Sequence, residues 1–288
     1  MPSVRQIRGR IRSVKNTARV TGAMQMVAAS KMRRAQERVT GSRPYAEKLY
    51  EVLAGLVSSG GLDPDNLHPF MVKRPVNKVL VVQISPDRGL AGGLPGNINR
   101  ATGNFLLQSP SPSTLITVGK KARDFMTRAG RDIRAVFTDL SDRPSLVDVM
   151  PIVHIIQEMY LNQEVDEVYL AYTKYVNILL QEPIITQLLP IDPSEFVTDQ
   201  KHLEYLYEPD PTTVLQTLLP RFLEIQVYQS ILESIASEQS SRMVAMRNAT
   251  ENANEMADGL TLELNKARQD AITAELLDLV GGVAALEG

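Results

Sequence analysis

A chain of 288 residues with 43% hydrophobic and 22% charged residues has an ordinary globular composition and room for one sizeable core. It contains no cysteine, which excludes a disulfide scaffold, a thiol switch and a thiolate-bound metal. The net charge of −2 conceals an asymmetry, because residues 1–43 carry eleven Lys or Arg and one acid, whereas the remainder carries 20 basic and 32 acidic residues.

The first predicted element is a helix over residues 3–57. Its start, MPSVRQIRGR, lacks the apolar run of a signal peptide, and no stretch is apolar for long enough to span a bilayer, so we expect a cytosolic protein that could still dock on a membrane complex. At roughly 1.5 Å per residue the helix would be about 80 Å long. Small and apolar residues alternate at spacings of three and four, which is typical of a coiled coil. This stripe consists of Val4, Ile7, Ile11, Val14, Ala18, Thr21, Gln25, Ala28, Met32, Ala35 and Val39.

Short apolar runs alternate with helical patterns in the middle of the chain. Strands are predicted at 78–85, 114–118, 132–137, 167–173 and 178–189, and helices at 96–108, 120–129 and 144–163. This alternation favours a mainly parallel, Rossmann-like sheet with helices on its faces. The last two strands are predicted to form a hairpin through residues 174–177.

A glycine-rich loop, SPDRGLAGGLPGN at residues 85–97, is the most enzyme-like motif. Such a loop between a strand and a helix can hold phosphate on its backbone N–H groups. The spacing matches neither the P-loop nor the G-x-G-x-x-G pattern, however. We therefore interpret it as a structural turn, with phosphate binding as the alternative; its residues are Asp87, Arg88, Gly89, Gly92 and Gly93.

Metal and cofactor sites are not expected. His68, His154 and His202 are isolated in the sequence, and none has a histidine or carboxylate at the spacing of helical metal ligands. No nucleophile and base recur together in a catalytic pattern. We predict neither a catalytic residue nor a cofactor.

The last predicted element is a helix over residues 212–280, about 100 Å long at roughly 1.5 Å per residue. It carries a second stripe of three and four spacing that runs from Ile225 to Leu260 through Gln239 and Arg242. The chain then divides into an N-terminal coiled-coil helix (1–57), a linker (58–77), a central α/β domain (78–190), a second linker (191–211) and a C-terminal coiled-coil helix with a protruding tip (212–288).

The two stripes are predicted to pack against each other in an antiparallel coiled coil, since a long amphipathic helix needs a partner for its apolar face. Paired residue numbers should then share a constant sum, and we predict 267. This register pairs Ile7 with Leu260 and sets Gln25 opposite Arg242 in a polar layer. The competing sum of 260 would bury Gln25 against Ile235, and an unpartnered buried polar group costs roughly 1–3 kcal/mol. The polar layer consists of Gln25, Gln239 and Arg242.

Charge supports the pairing and leaves a surplus. Residues 224–263 hold seven acids and two arginines, which offset only half of the excess of positive charge in residues 1–43. We expect the remaining positive charge to face another molecule. Nucleic acid is one possibility, but the heptad stripe runs through the basic stretch, and a groove-reading helix would leave that stripe exposed to water.

Four segments resemble the gamma subunit of the rotary F-type ATP synthase. They are KNTARVTGAMQMVAASKMRRAQ at 15–36, the SPDRGLAGGL loop, SEQSSRMVAMRNATENANEM at 237–256 and LNKARQDAITAELLDLVGGVAAL at 264–286. The C-terminal segment carries the specific pattern I-T-x-E-x-x-D, which ends at Asp278. The chain lacks the regulatory insert of the chloroplast form and a transit peptide, so it resembles a bacterial member.

The resemblance implies a rotor subunit that is not itself an enzyme. It implies that three alpha and three beta subunits surround the coiled coil, while epsilon and the ring of c subunits hold the other end, at the cytoplasmic face of the bacterial plasma membrane. Proton flow would turn the ring, and this chain would carry the torque to the beta subunits. The positions that the resemblance links to rotor contact and coupling are Met24, Arg242, Gln269, Thr273 and Glu275.

Two other functions remain open from the residues alone. The first is a nucleotide-binding α/β enzyme whose coiled-coil arms dimerise, which predicts nucleotide binding by the isolated chain. The second is a nucleic-acid binder, which predicts salt-sensitive affinity for DNA.

Overall fold

A computed structural model describes residues 3–58, 67–193, 207–208 and 210–287 of the chain. His202, the side chain of Asp278 and large parts of the two predicted linkers, at 59–66 and 194–206, lie outside the described residues. The helices are α1 (Val4–Ser58), α2 (Leu94–Gln108), α3 (Lys120–Arg128), α4 (Leu146–Leu161) and α5 (Pro211–Glu287). The strands are β1 (Val79–Ile84), β2 (Ser113–Val118), β3 (Ile133–Phe137), β4 (Glu167–Tyr175) and β5 (Gln181–Leu189).

Every predicted helix and strand is present, and the predicted fold class is confirmed. A short 3-10 helix at Pro69–Met71 is the one described element that the sequence patterns did not indicate. By contacts the chain divides into two compact units: the helical unit, Met1–Val27 with Met243–Gly288, and the α/β unit, Ala28–Arg242.

The sheet of the α/β unit has five strands in the order β3-β2-β1-β4-β5. The first four strands are parallel, and β5 runs antiparallel to β4. The predicted hairpin is confirmed, with its turn at residues 176–180. Because β1 lies in the centre of the sheet, all six of its side chains are buried, and all except Gln83 are apolar rather than alternating with polar residues.

Successive side chains of β1 point to opposite faces of the sheet. Val79 and Val81 belong to a core that α2 and α3 complete with Ile98, Leu106 and Met126. On the other face, the alternate residues Leu80, Val82 and Ile84 join α4 and the parts of α1 and α5 that belong to this unit. Both long helices are therefore part of the main core of the α/β unit.

In this unit α5 is buried on nearly every side. Its buried residues between 222 and 240 include the stripe residues Ile225 and Leu232, and also several serines and a glutamine that no apolar pattern marks. The polar members of this set are Ser230, Ser234, Ser237, Gln239 and Ser240.

In the helical unit the two helices bury only a narrow stripe. Its buried members are Ile7 and Ala18 from α1 and Met246, Ala253 and Ala257 from α5. The hydroxyls of Thr21 and Thr250 hydrogen-bond to each other at 2.7 Å, and Gly22 lies beside the same threonine.

The predicted register is wrong by four residues. A sum of 267 would place Thr21 opposite Met246, whereas its hydroxyl reaches Thr250, which gives a sum of 271. The buried residues Ala18 and Ala253 obey the same sum. In the α/β unit, Ala35, Val39, Leu232 and Ala236 form one small apolar cluster, which is compatible with the same sum. The prediction failed because it chose the register that gave Gln25 a polar partner in Arg242, and the Arg242 side chain has other partners within its own unit.

Candidate functional site

The loops that follow the parallel strands meet at the carboxyl edge of the sheet. The Asp87 carboxylate, in the loop after β1, accepts hydrogen bonds of 2.9 Å from the backbone N–H groups of Lys120 and Asp139. These residues follow β2 and β3, so one carboxylate joins three loops. The ammonium group of Lys120 bonds Asp139 at 2.7 Å and lowers the pKa of that carboxyl group.

Gly119 is indispensable at this edge for a reason that sequence reasoning missed. Its φ of +105° is rarely adopted by other residues, and a Cβ atom there would lie 1.9 Å from the carbonyl oxygen of Ser85. The chain turns directly from β2 into α3 at this glycine. The Ser85 hydroxyl accepts a hydrogen bond from the N–H of Ala122 in the first turn of α3. The only sequence signal was a glycine directly after a predicted strand.

Helix α5 covers the crevice where folds of this kind bind nucleotides. In an open α/β sheet the ligand lies outside the carboxyl ends of the strands, where the strand order reverses, which here is between β1 and β4. Three serine hydroxyls of α5 donate to backbone carbonyls at this place: Ser237 to Thr173 at 3.0 Å, Ser240 to Ile178 at 2.9 Å and Ser241 to Ala91 at 2.8 Å. Because α5 occupies this crevice, a phosphate group cannot bind at the place that is usual for such folds.

Arg242 extends this contact along the glycine loop. Its Nη2 atom lies 2.7 Å from the Glu238 carboxylate, 3.3 Å from the carbonyl oxygen of Gly89 and 3.5 Å from that of Arg88. Only 12% of the Arg242 side chain and 18% of the Glu238 side chain are exposed. Burial raises the pKa of the Glu238 carboxyl group, and the Arg242 guanidinium opposes this rise.

Helix α1 is attached to the same edge. The Lys31 ammonium group lies 2.5 Å from the carboxylate of Asp142, in the segment between β3 and α4. Both long helices are thus fixed to loops after the strands, α1 through Lys31 and α5 through Arg242 and the serines.

The three glycines that were predicted as turn residues lie in the loop after β1. Gly92 has a φ of +56°, and Gly93 directly precedes α2. Gly89 offers its carbonyl to Arg242. Arg88 also uses its carbonyl in this contact.

The predicted polar layer draws on both units. Gln25 is half-buried in the helical unit. In the α/β unit, Gln239 is buried and Arg242 is half-buried. Arg242 has the partners described above. The burial and the contacts of each residue are therefore described within its own unit.

The predicted contact residues of the helical unit are accessible. Met24 is half-buried, and Gln269, Thr273 and Glu275 are exposed on α5. The Thr273 hydroxyl donates back to the Gln269 carbonyl at 3.0 Å, so these two residues occupy one face of the helix.

The basic face of α1 in the helical unit is also uncovered. All its cations are exposed, and none forms an ion pair with any residue that the structure describes. The cations of this face are Arg5, Arg8, Arg12, Lys15 and Arg19, and Arg10 is exposed on the opposite side of the helix.

The described residues offer neither a cluster of metal ligands nor a membrane-spanning helix. No group of three or more His, Cys, Asp or Glu is placed there to hold a metal ion. In the same part of the chain, no helix combines the length and the apolar character needed to cross a membrane.

A family model and several known proteins match nearly the full length of this chain. A family model described as ATP synthase matches residues 3–286. A protein named ATP synthase gamma chain from Dehalococcoides mccartyi is 52% identical over 289 residues, which cover 99% of this chain and 100% of the relative. A protein of the same name from Roseiflexus castenholzii is 47% identical over 291 residues, with 99% of each chain covered.

Two solved structures are similar to this chain. A chain of the central stalk and c-ring of the Tetrahymena thermophila mitochondrial ATP synthase has a TM-score of 0.61 and 26% identity, over 80% of this chain and 99% of that one. A chain of the Euglena gracilis mitochondrial ATP synthase, in an OSCP/F1/c-ring structure in rotational state 3, has a TM-score of 0.70. Its identity is 22% over 98% of this chain and 94% of that one, a likeness that concerns the fold alone.

Proposed function

This chain belongs to the ATP synthase gamma-chain family, and from that premise we propose that it is the central-stalk rotor subunit of an F-type ATP synthase. It transmits torque between a proton-driven ring of c subunits and three catalytic beta subunits, during ATP synthesis or hydrolysis. It is not an enzyme itself. The observation that carries this conclusion is the family match along residues 3–286, which includes both long helices as well as the sheet.

The covered crevice supports the non-catalytic role. A nucleotide at the carboxyl edge of the sheet would have to displace the serines of α5 and break their hydrogen bonds to backbone carbonyls. Each lost bond leaves a partly buried acceptor without a partner, at a cost of roughly 1–3 kcal/mol. The central domain therefore serves to hold the two helices.

The exposed basic face of α1 supports a contact with acidic partners. Five cations on this face, none with an ion pair among the described residues, create a positive potential that attracts acidic surfaces and repels basic ones. We assign this face to acidic loops of the surrounding beta subunits. A contact of this kind is electrostatic and weakly directional, which suits a surface that meets several equivalent partners in turn.

The exposed residues near the end of α5 support direct contact with the catalytic subunits. Gln269, Thr273 and Glu275 present polar groups on an otherwise uncovered helix. Met24 supplies a flexible apolar side chain on α1, suited to partners of changing shape. We propose these four as contact residues that set the efficiency of coupling.

The other proposed partners follow from the rotor role. They are the alpha subunits of the catalytic hexamer, the epsilon subunit and the c-subunit ring, with no nucleic acid. We place the chain at the cytoplasmic face of a bacterial plasma membrane, as a peripheral part of the complex.

Affinity purification tests the proposal. A tagged chain should isolate subunits of a catalytic hexamer together with epsilon and the c-ring, identified by their masses. Nucleotide should bind to these companions and not measurably to the chain alone. If the tagged chain isolated none of these companions and instead bound DNA with salt-sensitive affinity, the assignment would be contradicted.

A further inference from the structure

Arg242 is occupied within its own chain. Its Nη2 atom makes all three polar contacts described above, and these join the Glu238 carboxylate to two carbonyl oxygens of the glycine loop. With 12% of its side chain exposed, the guanidinium group is poorly placed to reach a neighbouring subunit. Among the other positions that resemblance links to coupling, Gln269, Thr273 and Glu275 are exposed.

The glycine loop connects Arg242 to the sheet. Three of its carbonyls, at Arg88, Gly89 and Ala91, accept hydrogen bonds from α5. On its other side, Asp87 binds backbone N–H groups of the loops after β2 and β3. The loop is thus a bridge, with α5 at one end and two neighbouring strands at the other.

We propose that Arg242 is a positioning residue that acts inside the chain: with Glu238 it fastens α5 to the loop at residues 85–93, so that this part of the helix and the sheet turn as one body. This inference rests on the proposed rotor function and gives Arg242 a role different from that of the contact residues. A torque applied to the sheet would reach α5 through this fastening and through the serine hydrogen bonds beside it.

Glu238 has a defined part in this arrangement. Its carboxylate holds the guanidinium group over the loop carbonyls, since a buried cation needs an anionic partner to stay charged and fixed in place. Without Glu238, the long and flexible Arg242 side chain would turn towards water. Glu238→Gln should therefore have the same consequence as a change at Arg242, although the arginine is still present.

The test compares variants of the fully assembled complex. Glu238→Gln and Arg242→Lys are each measured for amide hydrogen exchange of residues 85–93 and for protons pumped per ATP hydrolysed in vesicles. Glu251→Gln is the matched control, because it breaks a Glu–Arg pair of the same spacing, Arg247 with Glu251 at 2.9 Å, whose side chains are exposed.

We expect Glu238→Gln and Arg242→Lys each to raise exchange in the loop by about tenfold, the factor that one lost charge-assisted hydrogen bond allows. Both should lower the pumping ratio, and the double variant should be no worse than either single one. The control should change neither quantity. If Arg242→Lys does not assemble, Glu238→Gln alone decides.

The inference would be overturned if hydrogen exchange in the loop of the Glu238→Gln complex equalled that of the wild type. If Arg242→Lys nevertheless lowered the pumping ratio, the arginine would act by contacting a neighbouring subunit instead. Failure of the rotor function itself would look different. In that case the wild-type complex would pump no protons, whatever the loop does.

Discussion

In the α/β unit, α5 is buried on nearly every side between residues 222 and 240, whereas in the helical unit the same helix buries little more than Met246, Ala253 and Ala257. The first region packs against the sheet, α4 and α1, and its position is set by many interlocking side chains. The second has one neighbour and a stripe of small residues. The difference separates a part that is fixed in place from a part whose surface remains available to partners.

The largest expected effect comes from truncating a core residue of α5 in the α/β unit. Leu223 is fully buried, so Leu223→Ala should lower the free energy of unfolding by roughly 2–5 kcal/mol through lost burial and the cavity left behind. Denaturant unfolding of the full chain measures this. Leu277→Ala, at an exposed position of α5, should change it by less than about 0.5 kcal/mol. Equal losses in both variants would abolish the distinction between the regions.

A smaller effect is expected from a larger side chain in the helical unit. Ala253→Leu should cost roughly 1–3 kcal/mol, because the helices approach each other closely at this stripe. Gly22→Ala is the control: a Cβ atom there would meet Thr250 at an ordinary 3.8 Å, so a gain of about 0.5–1 kcal/mol is expected from the better helix former. Thermal unfolding followed by circular dichroism distinguishes them. A tolerated Ala253→Leu would mean that the helices are not in close contact.

The hydroxyl pair should make a modest contribution. Thr21→Val and Thr250→Val keep the shape of the stripe and remove one partner each, at a cost of about 0.5–1.5 kcal/mol. The double variant should lose less than the sum of the two, since it leaves no unpaired hydroxyl. Thr261→Val is the control, because among the described residues that hydroxyl bonds the Ala257 carbonyl of its own helix and no residue of α1. Strict additivity would argue against the register.

Acidity should affect the α/β unit through Glu233. Burial raises the pKa of this carboxyl group, against the opposing effects of Lys174 and Arg43, and one of its oxygens has no hydrogen-bond partner among the described residues. The folded state therefore holds this proton more tightly than the unfolded state does. The free energy of unfolding should fall as pH rises from the unfolded to the folded pKa. Glu233→Gln should remove this part of the slope, which unfolding measured across pH would detect; an unchanged slope would contradict the cause given.

The smallest effect on stability is expected at the surface of the helical unit. Met24→Lys adds a cation, at a half-buried position, to a helix that already has an excess of positive charge, and folding and assembly should be preserved. The consequence should appear in coupling, as fewer protons pumped per ATP hydrolysed in reconstituted vesicles. Met24→Gln, of similar size and without the charge, is the control. An unchanged ratio for the lysine variant would remove Met24 from the coupling contacts.

Most of the fold could be predicted from the sequence because the signals are local. Apolar residues of α1 recur at intervals of three and four, and β1 and β2 are short apolar runs. Each pattern can be recognised within a short stretch of sequence, and the structure contains the corresponding elements. The register of the helices could not be predicted. The predicted register was wrong because it placed Arg242 opposite Gln25. The partners of Arg242 include two backbone carbonyls in a loop that is distant in the sequence. Carbonyl groups are present at every residue, so nothing in the sequence marks these as acceptors.

The buried serines of α5 show the same limit. Ser237 and Ser240 interrupt the apolar pattern, and they are buried because their hydroxyls bond to Thr173 and to the hairpin turn. Only the position of the sheet makes these bonds available. The exposed residues Gln269, Thr273 and Glu275 could be named solely by resemblance, since an exposed polar residue on a helix carries no physical signal of a partner.

The most direct test of the rotor function is to observe this chain turn. Because the chain has no native cysteine, Leu107→Cys, at a position of α2 that is 73% exposed, gives a single site for a visible probe. With the catalytic hexamer fixed to a surface and ATP supplied, the probe should rotate continuously in one direction. A probe that stays stationary while the same complexes hydrolyse ATP would contradict the account.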